Sequence, residues 1–175
     1  MATNDELLRD LHEYTRQVLK LEHVVDVQDN LYGGWNNAQR AVAVATVIDG
    51  YPAIVVDASY TKWPAGDLVE VFLHEAAHHI NGDVPRGRLR AYLVAHPPQP
   101  TAAGVQASER SESKAWAFAK AQRAQFETWR KQQQLQRLQV ELWELRQLVL
   151  GRQVGKQLAA RQAQPKRIQP KFNRR

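Results

Sequence analysis

Cysteine is absent from the 175 residues. That excludes a disulfide framework, a Cys-ligated zinc ribbon, an iron–sulfur cluster and a thiol nucleophile. Any metal must then be held by His, Asp and Glu. No run reaches the roughly 18–20 apolar residues of a membrane span, so no membrane partner is expected. The first ten residues, MATNDELLRD, carry acids where a signal peptide carries bases and lack its apolar stretch, so the expected compartment is the cytoplasm. Acids are missing from the C-terminus: all 18 lie at or before Glu144, while eight bases follow Gly151. The other 16 bases leave residues 1–150 at −2, so the net charge of +6 belongs to the tail. Such a tail is attracted to nucleic acid by counterion release, or simply keeps the chain soluble.

What is present suits one globular domain with an extension, since 43% of residues are apolar. Thr3, Asn4 or Asp5 can cap a helix whose apolar positions, from Leu7 to Leu21, continue to about Glu22. His23–Gln28 reads as extended. Ala41–Ile48 and Ala53–Asp57 are β-rich runs around Asp49-Gly50, which predicts a hairpin. Asp67–Ile80 reads as a helix stopped by Asn81-Gly82. Residues 82–107 read as a long Gly- and Pro-containing connection. A second helical run starts at Ser108 and meets no Gly or Pro until Gly151. Within it Leu135, Leu138, Leu142, Leu145 and Val149 follow 3-4-3-4 spacing, the a/d seam of a short coiled coil and a possible homodimer contact. The alternative is a helix folded back on its own domain.

The chemistry is concentrated in His74-Glu75-Ala76-Ala77-His78, an HExxH pattern. On a helix, positions i and i+4 share a face, so both imidazoles can address one ion. Glu75 can then act as general base on a water that the metal activates. Zinc suits two nitrogens and one carboxylate, which leave a coordination position open. The surrounding Val69, Val71, Phe72, Leu73, Ala76, Ala77 and Ile80 give the helix a buried character, in which polar groups are costly unless used. The third ligand is open between Glu112, Glu109, His96 and Asp83. Val84 stands where metzincins need a histidine, which excludes that class. Glu112 is favoured because Ala115 and Ala119 beyond it allow close helix packing. Glu109 and Glu112 could instead serve a helix N-terminus capped by Ser108 or Ser111. His79 reads as a packing residue or a support for the ligands, and His12 and His23 as structural or exposed. Tyr60, Tyr92 and His96 are candidate donors to an oxyanion.

The order of a strand ending AIVVDAS, then VFLHEAAHHINGD, then an E-x-x-A-x-x-F-A segment resembles the ImmA/IrrE family of metallopeptidases. More broadly it is similar to the gluzincins, to which thermolysin belongs. The resemblance covers about residues 5–125. It implies an α+β, zincin-like domain with an N-terminal helix, a small mostly antiparallel sheet, the HExxH helix and a third-ligand helix. It further implies one zinc ion on His74, His78 and Glu112, with Glu75 as the base of a peptide-bond hydrolysis. The implied substrate is a protein or peptide, such as a DNA-binding repressor of a phage or mobile element. Family members often carry Asp or Asn four residues after the ligand glutamate to support a histidine; Trp116 stands there in this chain. The expected organisation is a metallopeptidase domain over 1–125, an extended helix over 126–150 and a basic flexible tail over 151–175. The competing expectation is a non-catalytic regulatory or phage structural protein on the same scaffold.

Overall fold

A computed structural model of the chain describes residues 3–33, 39–84 and 102–162. Helix α1 (Asn4–Gln17) starts from a reciprocal cap: Glu6 N donates to Thr3 Oγ1 at 3.2 Å, and Thr3 N donates to Glu6 Oε2 at 2.9 Å. It stops short of the expected Glu22. The chain turns at Lys20, which has a left-handed φ of 56°, and folds Leu21 into the core. Strands β1 (Val24–Gln28), β4 (Ala43–Ile48) and β5 (Tyr51–Asp57) form one sheet in the order β1-β5-β4. A two-residue ladder pairs β2 (Tyr32–Gly33) with β3 (Gln39–Arg40). A short 3-10 helix (Ala58–Lys62) leads into α2 (Ala65–Asn81), and α3 spans Ala102–Gln162.

The β4–β5 hairpin closes through Asp49 (φ 50°) and Gly50 (φ 86°), with Ile48 opposite Tyr51. Two central residues at positive φ make the primed turn whose twist matches the strands. The sheet is mixed, not mostly antiparallel, because β1 runs parallel to β5 from Val24↔Ala53 to Gln28↔Asp57. β5 sits in the middle, and its Ala53–Asp57 stretch is buried throughout, as expected of a strand covered on both faces. Among the described residues β4 lies at the sheet's edge.

The core joins Leu7, Leu11 and Tyr14 of α1, Ile54 and Val56 of β5, Leu68, Phe72 and Leu73 of α2, and Ala119 and Phe126 of α3. Each large side chain removed from water contributes roughly 1.5–3 kcal/mol. α3 begins at Ala102, before the expected Ser108, so Ser108, Glu109, Ser111 and Glu112 stand inside the helix and not at its capped end. Ala115 and Ala119 are fully buried, which lets the backbone of α3 come close. Three polar ties fix its register. The Tyr14 hydroxyl donates to Gln122 Oε1 at 2.8 Å, Arg123 Nη1 donates to Glu70 Oε1 at 2.5 Å, and Arg130 Nε donates to Asp10 Oδ2 at 2.8 Å. The Arg123 guanidinium passes so close to Gly66 that a Cβ there would lie 3.1 Å from Nη2.

The chain divides into two compact units, Met1–Arg130 and Lys131–Arg175. The first extends past residue 125 because Phe126, Trp129 and Arg130 pack on or bind its core. In the second, the helix does not end at Gly151 but continues through Gly155 to Gln162. A helical glycine costs only about 1 kcal/mol relative to alanine, too little to break a long helix. The expected flexible tail is therefore helical over its first part, and residues 163–175 lie outside the described residues. Among the described residues no helix is long and apolar enough to cross a membrane.

Candidate metal centre

α2 carries His74, Glu75 and His78 because its i, i+4 spacing puts both imidazoles on one face. Their Nε2 atoms lie 3.1 Å apart. α3 crosses this face and brings Glu112 to it, with Oε2 at 3.1 Å from His74 Nε2 and Oε1 at 3.5 Å from His78 Nε2. Among the described residues these three form the one group of His, Asp and Glu side chains able to hold a metal ion, their donor atoms all within 4.8 Å of one another. The fit to zinc can be checked from these separations. Two donors on bonds of about 2.0–2.1 Å at tetrahedral angles stand roughly 3.3 Å apart; the imidazole pair stands at 3.1 Å, and Glu112 sets one oxygen 3.1 Å from His74 and the other 3.5 Å from His78. Two imidazole nitrogens and a carboxylate also form a donor set of the hydrolytic zinc type.

The protonation pattern supports the same use. Burial pulls the His74 pKa below its ordinary value, reinforced by His78 and opposed by Glu112, so the ring is neutral near pH 7. His78 Nδ1 faces Asp83 Oδ2 at 3.2 Å. A carboxylate can only accept, so Nδ1 carries a proton, and in a neutral ring that leaves Nε2 as the acceptor facing the cluster. Ser111 Oγ donates to the same Asp83 oxygen at 2.5 Å. Partial burial pushes the Asp83 carboxyl up, but the Ser111 and His78 hydrogen bonds outweigh it and hold the group below its ordinary range.

Asp83 reaches this position through the way α2 ends. Gly82 adopts φ 76°, its N–H donates to His79 O at 3.2 Å, and Asp83 N donates to His78 O at 2.9 Å. This 6→1 and 5→2 pair is a Schellman ending, which folds the next residue back along the last turn. Asp83 therefore supports His78 from the far side of the ring and is not one of the three converging donors.

His74 is supported differently. Its Nδ1 is buried with no hydrogen-bond partner among the described residues. Trp116 lies against the ring, with centroids 4.2 Å apart and planes inclined at 40°. The tryptophan thus packs on the imidazole ring itself, and its indole, a donor only, offers Nδ1 no acceptor.

Glu75 stands apart from the donor cluster. Its Oε2 accepts from Ala45 N, on edge strand β4, at 2.6 Å. Burial pushes the carboxyl up to about 7, opposed by the Ala45 hydrogen bond and by His78, and raised further by Glu112. A cleft of about 590 Å³ connects these groups, walled by Ala43 and Ala45 of β4 and by Ala107, Ser108 and Ser111 of α3.

The remaining sequence-level candidates sort clearly. Glu109 is exposed and outside the donor cluster. His96 and Tyr92 lie outside the described residues. Tyr60 turns away from the cleft and donates to Asp5 Oδ1 at 2.5 Å, which, with burial, pushes its hydroxyl up to about 12. His79 is buried with Nε2 donating to Ala53 O at 2.9 Å, so it ties α2 to β5. His23 is buried beneath α1, and His12 Nε2 donates to its carbonyl at 3.1 Å. Two contacts of the site left no sequence signal: the Ala45 amide, because any residue supplies an N–H, and Ser111, which reads as a helix cap. Comparison with protein-family models, curated proteins and solved structures finds no match.

Proposed function

We propose that this chain is a zinc-dependent endopeptidase of the zincin type, akin to the ImmA/IrrE family. His74, His78 and Glu112 would hold the ion. The observation that carries this reading is the meeting of those three donors beside a partly buried carboxyl that is not one of them. A bound zinc supplies a lowered pKa for water and a polarised scissile carbonyl.

The chain's own residues supply the rest. The Ala45 amide holds Glu75 Oε2 and leaves Oε1 to take a proton from the attacking water. Burial raises the proton affinity of this carboxyl, which suits it to receiving that proton and passing it to the leaving amine. An extended peptide adds along the edge of β4, where the methyl side chains of Ala43 and Ala45 leave room in the cleft. The substrate class proposed is a regulatory protein, such as a DNA-binding repressor.

The test pairs metal content with hydrolysis. Purified protein is expected to carry about one zinc per chain. Glu75→Gln is expected to keep that zinc while lowering peptide hydrolysis by roughly 10²–10⁴-fold. Undiminished hydrolysis in the variant overturns the assignment.

A second reading, a non-catalytic protein with a structural metal, is favoured by the His74 Nδ1, which has no partner among the described residues, and by the tryptophan against that ring. It expects chelation to unfold the chain, with no cleavage under any condition.

A further inference from the structure

The Lys131–Arg175 unit has a helical face that the metal centre does not use. Leu135, Leu138, Leu142, Leu145 and Val149 are each between 54% and 65% exposed. They fall on one stripe of α3, at alternating a and d positions of two heptads. The d positions on either side are Lys131 and Arg152, so the apolar stripe is bounded by charge at both ends.

The flanking charges select the occupant. With Leu135 at a, the g positions are Gln134, Glu141 and Leu148, and the e positions are Gln139 and Arg146. In a parallel pair of helices, each g residue faces the e residue five positions further along the partner. Glu141 then meets Arg146 of a second copy, and by symmetry Arg146 meets the second copy's Glu141. Gln134 meets Gln139 in the same way. An antiparallel pair instead sets g against g and e against e, which separates Glu141 from Arg146 and forfeits both charge pairs.

We infer that residues 135–149 form a parallel, in-register two-stranded coiled coil with a second copy of this chain. The contact is self-complementary, so it closes as a dimer and does not propagate. It does not depend on the metal centre, and either can fail alone.

The test uses the full chain and its lack of cysteine. Sedimentation equilibrium up to about 100 µM is expected to reach about 40 kDa, twice the chain's 20.0 kDa. Leu135→Cys and Val149→Cys, made separately, are each expected to oxidise to a covalent dimer, whereas Gln147→Cys, on the opposite face, is not. Glu141→Arg is expected to weaken self-association roughly tenfold, and adding Arg146→Glu to restore it. A 20 kDa monomer throughout overturns the inference and leaves the stripe to a different partner. Cross-links that form only between the 135 and 149 variants in a mixture overturn the parallel register.

Discussion

The two histidines of the candidate centre have the same side chain and opposite support. His78 is held by a hydrogen-bonded pair, Asp83 and Ser111, that fixes its tautomer. His74 is held by burial and by the face of Trp116. Carboxylates that accept from the outer nitrogen of a ligating imidazole typically account for 10–100-fold in metal affinity. Asp83→Ala is therefore expected to weaken zinc binding by about that factor, read by competition with a chromophoric chelator. Ser111→Ala is expected to do less, because it leaves the His78–Asp83 bond intact. Equal zinc affinity in Asp83→Ala and the parent would show that His78 does not need the carboxylate. The sequence made the histidine pair legible through its helical spacing. It left Asp83 ambiguous, because an acid nine residues after His74 can ligate or support, and only the direction of the chain after Gly82 decides.

Among the elements, α2 is the one on which placement depends, and its ending contributes as much as its interior. Gly82 sits at φ 76° with open space where a Cβ would go, so the cost of a side chain there is conformational and not steric. Gly82→Ala is expected to cost about 1 kcal/mol. That corresponds to a fall in Tm of roughly 3–6 °C, measured by thermal melting. It should also lower zinc affinity, since Asp83 is aimed by the same turn; a fall in Tm without any change in affinity would separate the two roles. Local signals were sufficient for α2 and for the hairpin, since Asn81-Gly82 and Asp49-Gly50 need only their neighbours to act. The parallel pairing of β1 with β5 had no such signal. It joins segments 29 residues apart, from Val24 to Ala53, and is decided by which strand covers the other edge of β5. The start of α3 at Ala102 was hidden by composition, because Gly104 and the small residues around it resemble a connection.

At the scale of the molecule, acid stability is governed in part by a residue far from the chemistry. His23 is buried, with Nδ1 donating to Leu21 O at 2.9 Å. Burial pushes its pKa from 6.5 down to about 4, with His12, His79 and Arg16 adding and the Leu21 bond opposing. Between those values the unfolded chain binds a proton that the folded chain excludes. The contribution is therefore complete above about pH 6.5 and is lost as pH falls toward 4, amounting to about 3 kcal/mol in all. Urea unfolding at pH 7 and pH 5 is expected to differ by about 2 kcal/mol from this group. His23→Gln should remove that part of the difference, and an identical pH response in the variant would refute the assignment.

The route by which Glu112 arrives has a consequence for biosynthesis. A nascent chain that has emerged only as far as α2 already possesses the imidazole pair, but its carboxylate partner is still inside the ribosome. Glu112 reaches the pair only after α3 docks through Gln122, Arg123 and Arg130. Capture of a cation by all three groups would thus be a late event, coupled to completed tertiary structure, and a half-made chain would offer the ion a two-legged grip at best.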